Sequence, residues 1–174
     1  NGTRVSRPGI VHRLDKETSG VLLIAKNNNA FLHFKKLFQD HEIEKEYHAV
    51  LYGNLKKDEY NVSAPIGRSK EDARKRAPFG LGEKRPAETH FLAQERFPGY
   101  TFVHVFPKTG RTHQIRVHAK FIGHPIVCDP LYAEERNCPL EMGRLALHAA
   151  KLSFKDFDGK LHHIAAPYPS DFAR

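Results

Sequence analysis

Pro8-Gly9-Ile10-Val11-His12-Arg13-Leu14-Asp15-Lys16-Glu17-Thr18-Ser19-Gly20, followed by Val21-Leu22-Leu23-Ile24-Ala25, is the stretch from which the rest of the chain can be read. The apolar run at 21–25, bounded by Gly20 and by Lys26-Asn27-Asn28-Asn29, predicts a short buried strand. Asp15 then lies on the loop leading into that strand. The loop gathers a carboxylate, cations and hydroxyls between apolar stretches, and loops held by a rigid sheet are where reactive groups concentrate. The same residue types also suit a plain turn in which Asp15 or Thr18 satisfies nearby backbone amides. Residue types alone leave both readings open.

Working outward, Asn29 is placed to cap a helix whose Phe31, Phe34, Leu37 and Phe38 share one face, with Lys35 and Lys36 turned to solvent. Ile43 to Tyr52 alternates as a strand carrying Tyr47, Ala49 and Leu51 on one side. Ser69 to Pro86 is polar, basic and aperiodic, and reads as an exposed loop. Thr89–Phe97 and Tyr100–Phe106 form an antiparallel hairpin around Pro98-Gly99. Thr112 is placed to cap a helix from His113 to Ile122, with Ile115, His118, Phe121 and Ile122 inward and Arg116 near its start. Leu145–Phe154 and Leu161–Ala165 close the pattern as strands around Asp158-Gly159. The expectation is an α+β fold, a mostly antiparallel mixed sheet with few helices.

Composition narrows the class. A chain of 174 residues with 40% hydrophobic and 28% charged content supports one globular domain, 1–174, and not two. Lys and Arg number 28 against 20 Asp and Glu, a formal charge of +8, which favours a polyanion and puts nucleic acid first among partners. Cys128 and Cys138 are the only cysteines, lack C-x-x-C spacing and sit in a chain too large to depend on a disulfide scaffold, so they fit a reducing cytoplasm. No apolar run reaches the roughly 20 residues of a spanning helix, which excludes a membrane role of that kind. The motif-bearing loop arrives within the first twelve residues and no initiating Met precedes it, so the chain is expected to lack its N-terminal part.

At this point the sequence resembles a known family. His12-Arg13-Leu14-Asp15 followed by Thr18-Ser19-Gly20 is similar to the signature motif of the RluA-type RNA pseudouridine synthases. Lys45-Glu46-Tyr47 with Ala49 resembles the family's tyrosine strand, and Thr109-Gly110-Arg111-Thr112-His113-Gln114-Ile115-Arg116-Val117-His118 its arginine motif. Gly123-His124-Pro125-Ile126, Asp129-Pro130-Leu131-Tyr132 and Leu147-His148-Ala149 extend the match in order along the chain.

The resemblance implies the pseudouridine synthase catalytic fold with a central cleft, and isomerisation of uridine within RNA. The bond from ribose C1′ to uracil N1 breaks, the base turns, and a bond to C5 replaces it, with no redox cofactor, ATP or metal. It implies Asp15 as the catalytic carboxylate, Arg116 as its guanidinium partner and Tyr47 as the ring lying against uracil, its hydroxyl helping to remove the C5 proton. Arg13 would fill the gap left by a flipped nucleotide, Leu147 would pack on the target base, and Arg111, His113 and Thr18 would contact substrate. Large-subunit ribosomal RNA is the expected substrate, transfer RNA the alternative, and the protein is expected to be a cytoplasmic monomer. Arg4, Arg7, Arg68, Lys70, Arg74, Lys75, Arg76, Lys84 and Arg85 are candidate phosphate contacts, of which a minority is assigned to RNA.

Twelve histidines raise a metal reading. His113 and His118 are five apart rather than four, with no acidic or cysteine third ligand, and His162-His163 are adjacent, so no metal site is expected. His12, His118 and His148 are assigned to hydrogen-bonding backbone or bracing the motif loops. Two rival functions remain: a basic RNA-binding module without catalysis, which would tolerate loss of the Asp15 carboxylate, and a histidine-dependent ribonuclease, which would shorten its RNA.

Overall fold

The structure, a computed structural model, describes residues 8–139 and 143–172. Its main body is a seven-stranded mixed sheet. Elements run β1 (Ser19–Gly20), α1 (Asn28–Gln39), β2 (Glu44–Tyr52), β3 (Glu59–Ser63), β4 (Ile66–Arg68), β5 (Arg76–Pro78), β6 (Leu81–Arg85), β7 (Glu88–Phe97), β8 (Tyr100–Pro107), α2 (Gln114–Phe121), β9 (Leu147–Lys155) and β10 (Leu161–Ala165). The large sheet has the order β1-β9-β2-β8-β7-β3, with β10 also on β9, and β1 alone pairs in parallel. The α+β expectation holds.

Period-two patterning explains the sheet. In β2, Ala49 and Leu51 are fully buried, and in β8 Thr101, Val103 and Val105 likewise, so these central strands pack one face on the core. Phe91, Ile126, Val127 and Leu145 complete that core. The β7–β8 hairpin turns at Pro98-Gly99 as expected, and β9–β10 is antiparallel.

Four expectations are corrected. Residues 21–25 form no regular strand: only Ser19–Gly20 pairs with β9, Ile24 bridges Ile10, and Leu22 and Ile24 are exposed because one side of this edge faces solvent. The segment 69–86 is not one loop, since β4, β5 and β6 make a three-stranded antiparallel sheet. Its signal was masked because the strands are short and close through Gly67 and Gly80, where a Cβ on Gly80 would lie 2.4 Å from the Arg68 carbonyl oxygen. Asn27, not Asn29, caps α1, its side chain accepting from Ala30 N at 2.9 Å. Thr112 does not cap α2. His113 occupies that position at φ 57° without a side-chain cap bond, and Phe121 faces solvent.

The cysteines depart from expectation as well. Cys128 and Cys138 form a disulfide with Cα atoms 4.7 Å apart, because the chain doubles back between them. The inference from cysteine usage to a reducing compartment therefore does not stand. Tyr52 ties both ends of that loop, its hydroxyl accepting from Cys128 N at 3.3 Å and donating to the Asn137 carbonyl at 2.8 Å. Closing a loop with sequence separation 10 restricts the unfolded chain, and reduction is expected to cost about 3 kcal/mol of stability. Urea unfolding with and without reductant checks this, and the Cys128→Ser/Cys138→Ser protein should unfold at the same urea concentration in both conditions.

Acid should also weaken the fold. Leu23 N donates to His12 Nε2 at 2.8 Å, and His12 stacks on Phe38. Burial first, then the Lys45 ammonium, holds the imidazole down from 6.5 to about 4. Below pH 6.5 the unfolded chain takes up a proton on His12 that the folded chain refuses. This contribution is thus intact above that value and lost as pH falls toward about 4. Burial likewise lowers His113, His118 and His148. The urea midpoint is expected to fall between pH 7 and 5, and less steeply in His12→Gln. A flat profile for the unaltered protein would contradict this account.

Candidate active site

The loop bearing Asp15 is anchored by main chain. Ser19 pairs with His148 and Gly20 with Ala149, and Val21 N donates to the Ala149 carbonyl at 2.9 Å. Gly20 has φ 115°, and a Cβ there would sit 2.1 Å from the Ala149 oxygen, so only glycine allows so close an approach. His148 Nδ1 bonds Ser19 Oγ at 2.9 Å. Arg144, held by Asp171 at 2.7 and 2.9 Å, reaches the Glu17 carbonyl at 3.2 Å. His118 bonds Thr89 Oγ1 and the Ala64 carbonyl at 2.8 and 3.0 Å. His12, His118 and His148 therefore all make bracing contacts.

Arg116 enters from α2. The turn before it is locked by Gln114, whose Oε1 accepts from Thr109 Oγ1 and Arg111 N at 2.6 and 2.9 Å and whose Nε2 donates to the Glu88 carbonyl and Thr89 Oγ1 at 2.9 and 3.0 Å. Arg116 Nη1 meets Asp15 Oδ2 at 3.3 Å. Its Nε and Nη2 form a fork on Asp129, both at 2.7 Å. The Arg116 guanidinium lies 5.1 Å over the Tyr132 ring. Burial alone would lower the guanidinium's pKa, but Asp129 and then Asp15 more than offset it, leaving it raised.

Tyr47 follows a register shift in the β2–β9 pairing between Glu46 and Tyr47, and joins the cleft while packing on the core. Burial first, then the Asp15 carboxylate, pushes its hydroxyl up to about 12. The neutral phenol is thus the form present at neutral pH, a hydrogen-bond donor and a flat ring rather than a proton acceptor. Lys45 lies beside it, donating to the Thr109 carbonyl at 3.2 Å, and burial followed by Arg111 brings its ammonium down to about 8.

One cleft of about 580 Å³, open space at its mouth included, is lined by Asp15, Tyr47 and Arg116 and by Arg13, Thr18, Arg111, His113 and Leu147, so the structure brings all eight sequence-derived site residues together. Thr18 Oγ1 is buried there without a hydrogen-bond partner. Leu147 is only 3% exposed, so it is a core leucine whose edge reaches the cleft.

Sequence reasoning missed Asp129, Tyr132 and Gln114 as site residues. Asp129 and Tyr132 stood within a recognised motif, but nothing in their spacing pointed to Arg116. Of the candidate phosphate contacts, Arg68, Arg76 and Arg85 line a neighbouring trough that shares Gly110 and Arg111 with the cleft side. Arg74 and Lys75 are paired with Asp72 and Glu134. Arg4 and Arg7 fall outside the described residues.

Among the described residues, Glu46, His48 and His104 bring potential metal-ligand atoms within 4.8 Å. None of the three lines the cleft. Lys151 Nζ donates to both Glu46 oxygens at 3.1 and 3.2 Å, and the two imidazoles stack with centroids 4.0 Å apart and planes at 11°. In-plane lone pairs of parallel stacked rings cannot converge on one ion at 2.0–2.1 Å. Among the described residues, no helix is long and apolar enough to cross a membrane.

Residues 1–121 match the family model described as RNA pseudouridylate synthase. The chain is 41% identical over 170 residues to the uncharacterized RNA pseudouridine synthase YlyB of Bacillus subtilis (strain 168), covering 97% of this chain and 55% of that protein. It is 38% identical over 178 residues to ribosomal large subunit pseudouridine synthase D of Nitrosomonas europaea, covering 98% and 51%. The chain thus spans about half the length of the curated relatives it matches. Among solved structures, human RNA Pseudouridylate Synthase Domain Containing 1 superposes with TM-score 0.80 at 29% identity, covering 91% of this chain and 68% of that one. With its motif loops, cleft and fold all converging, the chain belongs to the RNA pseudouridylate synthase family.

Proposed function

We propose that this chain isomerises uridine to pseudouridine in RNA, with Asp15 as the carboxylate acting beside ribose C1′ and no cofactor. The observation that carries the reading is the Asp15–Arg116 contact in the lining of a cleft that also presents the Tyr47 ring, with the buried Asp129 holding Arg116 from outside that lining. Asp15 supplies a carboxylate in the cleft where C1′–N1 cleavage builds positive charge on the sugar. A carboxylate so placed stabilises that charge or forms a covalent adduct. The base then turns, C1′ bonds C5, the C5 proton leaves and N1 takes up a proton.

Arg13 and Arg111 add positive charge for phosphates. The nucleotide must leave its stack to reach Asp15, at a cost of roughly a few kcal/mol, and Arg13 has the planar cation to occupy the space left. Large-subunit ribosomal RNA is the proposed substrate, supported by the relatives named ribosomal large subunit pseudouridine synthases in Nitrosomonas europaea and, at 39% identity, Vibrio vulnificus.

Mapping pseudouridines in RNA from cells with and without the gene tests this. The expected result is loss of one or a few sites in large-subunit ribosomal RNA. Loss confined to transfer RNA would reassign the substrate, and an unchanged map would refute the proposal.

A further inference from the structure

Asp129 makes more of Arg116 than Asp15 does. It is fully buried, and its Oδ1 accepts from Arg116 Nη2 at 2.7 Å and from Leu131 N and Tyr132 N at 2.9 and 3.1 Å, while Oδ2 accepts from Arg116 Nε at 2.7 Å. The carboxylate is thus fixed by its own turn before it meets the guanidinium. Tyr132 supplies a floor under that guanidinium, and its hydroxyl is in turn bonded by Arg76 N and His113 Nδ1 at 2.8 and 2.9 Å. Among the described residues, Asp15's carboxylate has one hydrogen bond, the longer contact from Nη1.

Guanidinium and carboxylate normally close a two-bond fork when both are free to turn. Such a fork on Asp15 would occupy both of its oxygens and blunt the group that has to act on the substrate. We infer that Asp129 is a positioning residue: by taking the Nε and Nη2 edge of Arg116, it limits the guanidinium to a single contact with Asp15 and leaves the other Asp15 oxygen to the substrate. Asp129 touches no substrate in this scheme and acts only through Arg116. The inference rests on the proposed uridine isomerisation.

Asp129→Asn tests it, because the amide oxygen can keep the Leu131 and Tyr132 bonds while the amide nitrogen cannot accept from Nε. In the full-length protein, kcat is expected to fall about 10–100-fold, the range for losing an outer partner of a functional group, with KM within about threefold. In an Arg116→Met background the same substitution should add less than about threefold, since a residue acting through another loses its effect when that other is gone. A loss confined to KM, or one that multiplies fully with that of Arg116→Met, would overturn the inference.

A crystal structure of Asp129→Asn gives a readout independent of activity. The Arg116 guanidinium should turn to make two bonds to Asp15, and its retention in the native pose overturns the inference whatever the kinetics. If the unaltered protein forms no pseudouridine, the functional proposal fails, and the crystallographic result still decides whether Asp129 restrains Arg116.

Discussion

Asp15→Asn is expected to reduce pseudouridine formation by about 10³-fold or more, while RNA affinity stays within about threefold. The substitution keeps the size of the side chain and can keep the Arg116 contact through the amide oxygen, so the cleft should stay intact. What disappears is the negative charge and nucleophilicity needed at C1′. Tritium release from RNA labelled at uracil C5, with a chelator present, measures it. Undiminished release would sink the assignment of Asp15, and release abolished by chelation in the unaltered protein would reinstate a metal. A non-catalytic RNA-binding module predicts no release from any form, and a ribonuclease predicts shortened RNA on a gel.

Arg116→Ala should have the next largest effect, in two separable parts. Removing the guanidinium leaves Asp129 buried without its cation, which costs about 3–5 kcal/mol of stability. Turnover should also fall about 10²-fold per folded molecule, because Asp15 loses its only side-chain hydrogen bond among the described residues. KM should move much less, since the Arg116 side chain is nearly buried and acts through Asp15. Thermal unfolding gives the first part, and steady-state kinetics corrected for the folded fraction the second. An unchanged kcat with a raised KM would identify Arg116 as a substrate-binding residue instead.

The strands that carry the core were legible because period-two alternation is strong where one face is buried, as in β2 and β8. The Asp15, Tyr47 and Arg116 neighbourhood was reached through motif resemblance, not periodicity. What stayed hidden was set by tertiary contacts. The run 21–25 is apolar enough for a buried strand, yet it lies at an edge where Leu22 and Ile24 face out. The polar stretch 69–86 folds into strands through backbone approach at Gly67 and Gly80, which leaves no hydrophobic signature. Thr112 has the right chemistry for a cap, but Gln114 already satisfies the turn and His113 takes the left-handed conformation. The disulfide and the Asp129 fork each join residues across a returning loop, beyond the reach of local spacing.

The pairing of Ser19 with His148, residues 129 positions apart, has a consequence for synthesis. Until residue 149 has left the ribosome, the segment holding Asp15 has no strand to lie on, and such long-range closure is intrinsically slow. In the nascent chain the Asp15 segment therefore waits for β9, the same strand whose Leu147 lines the cleft.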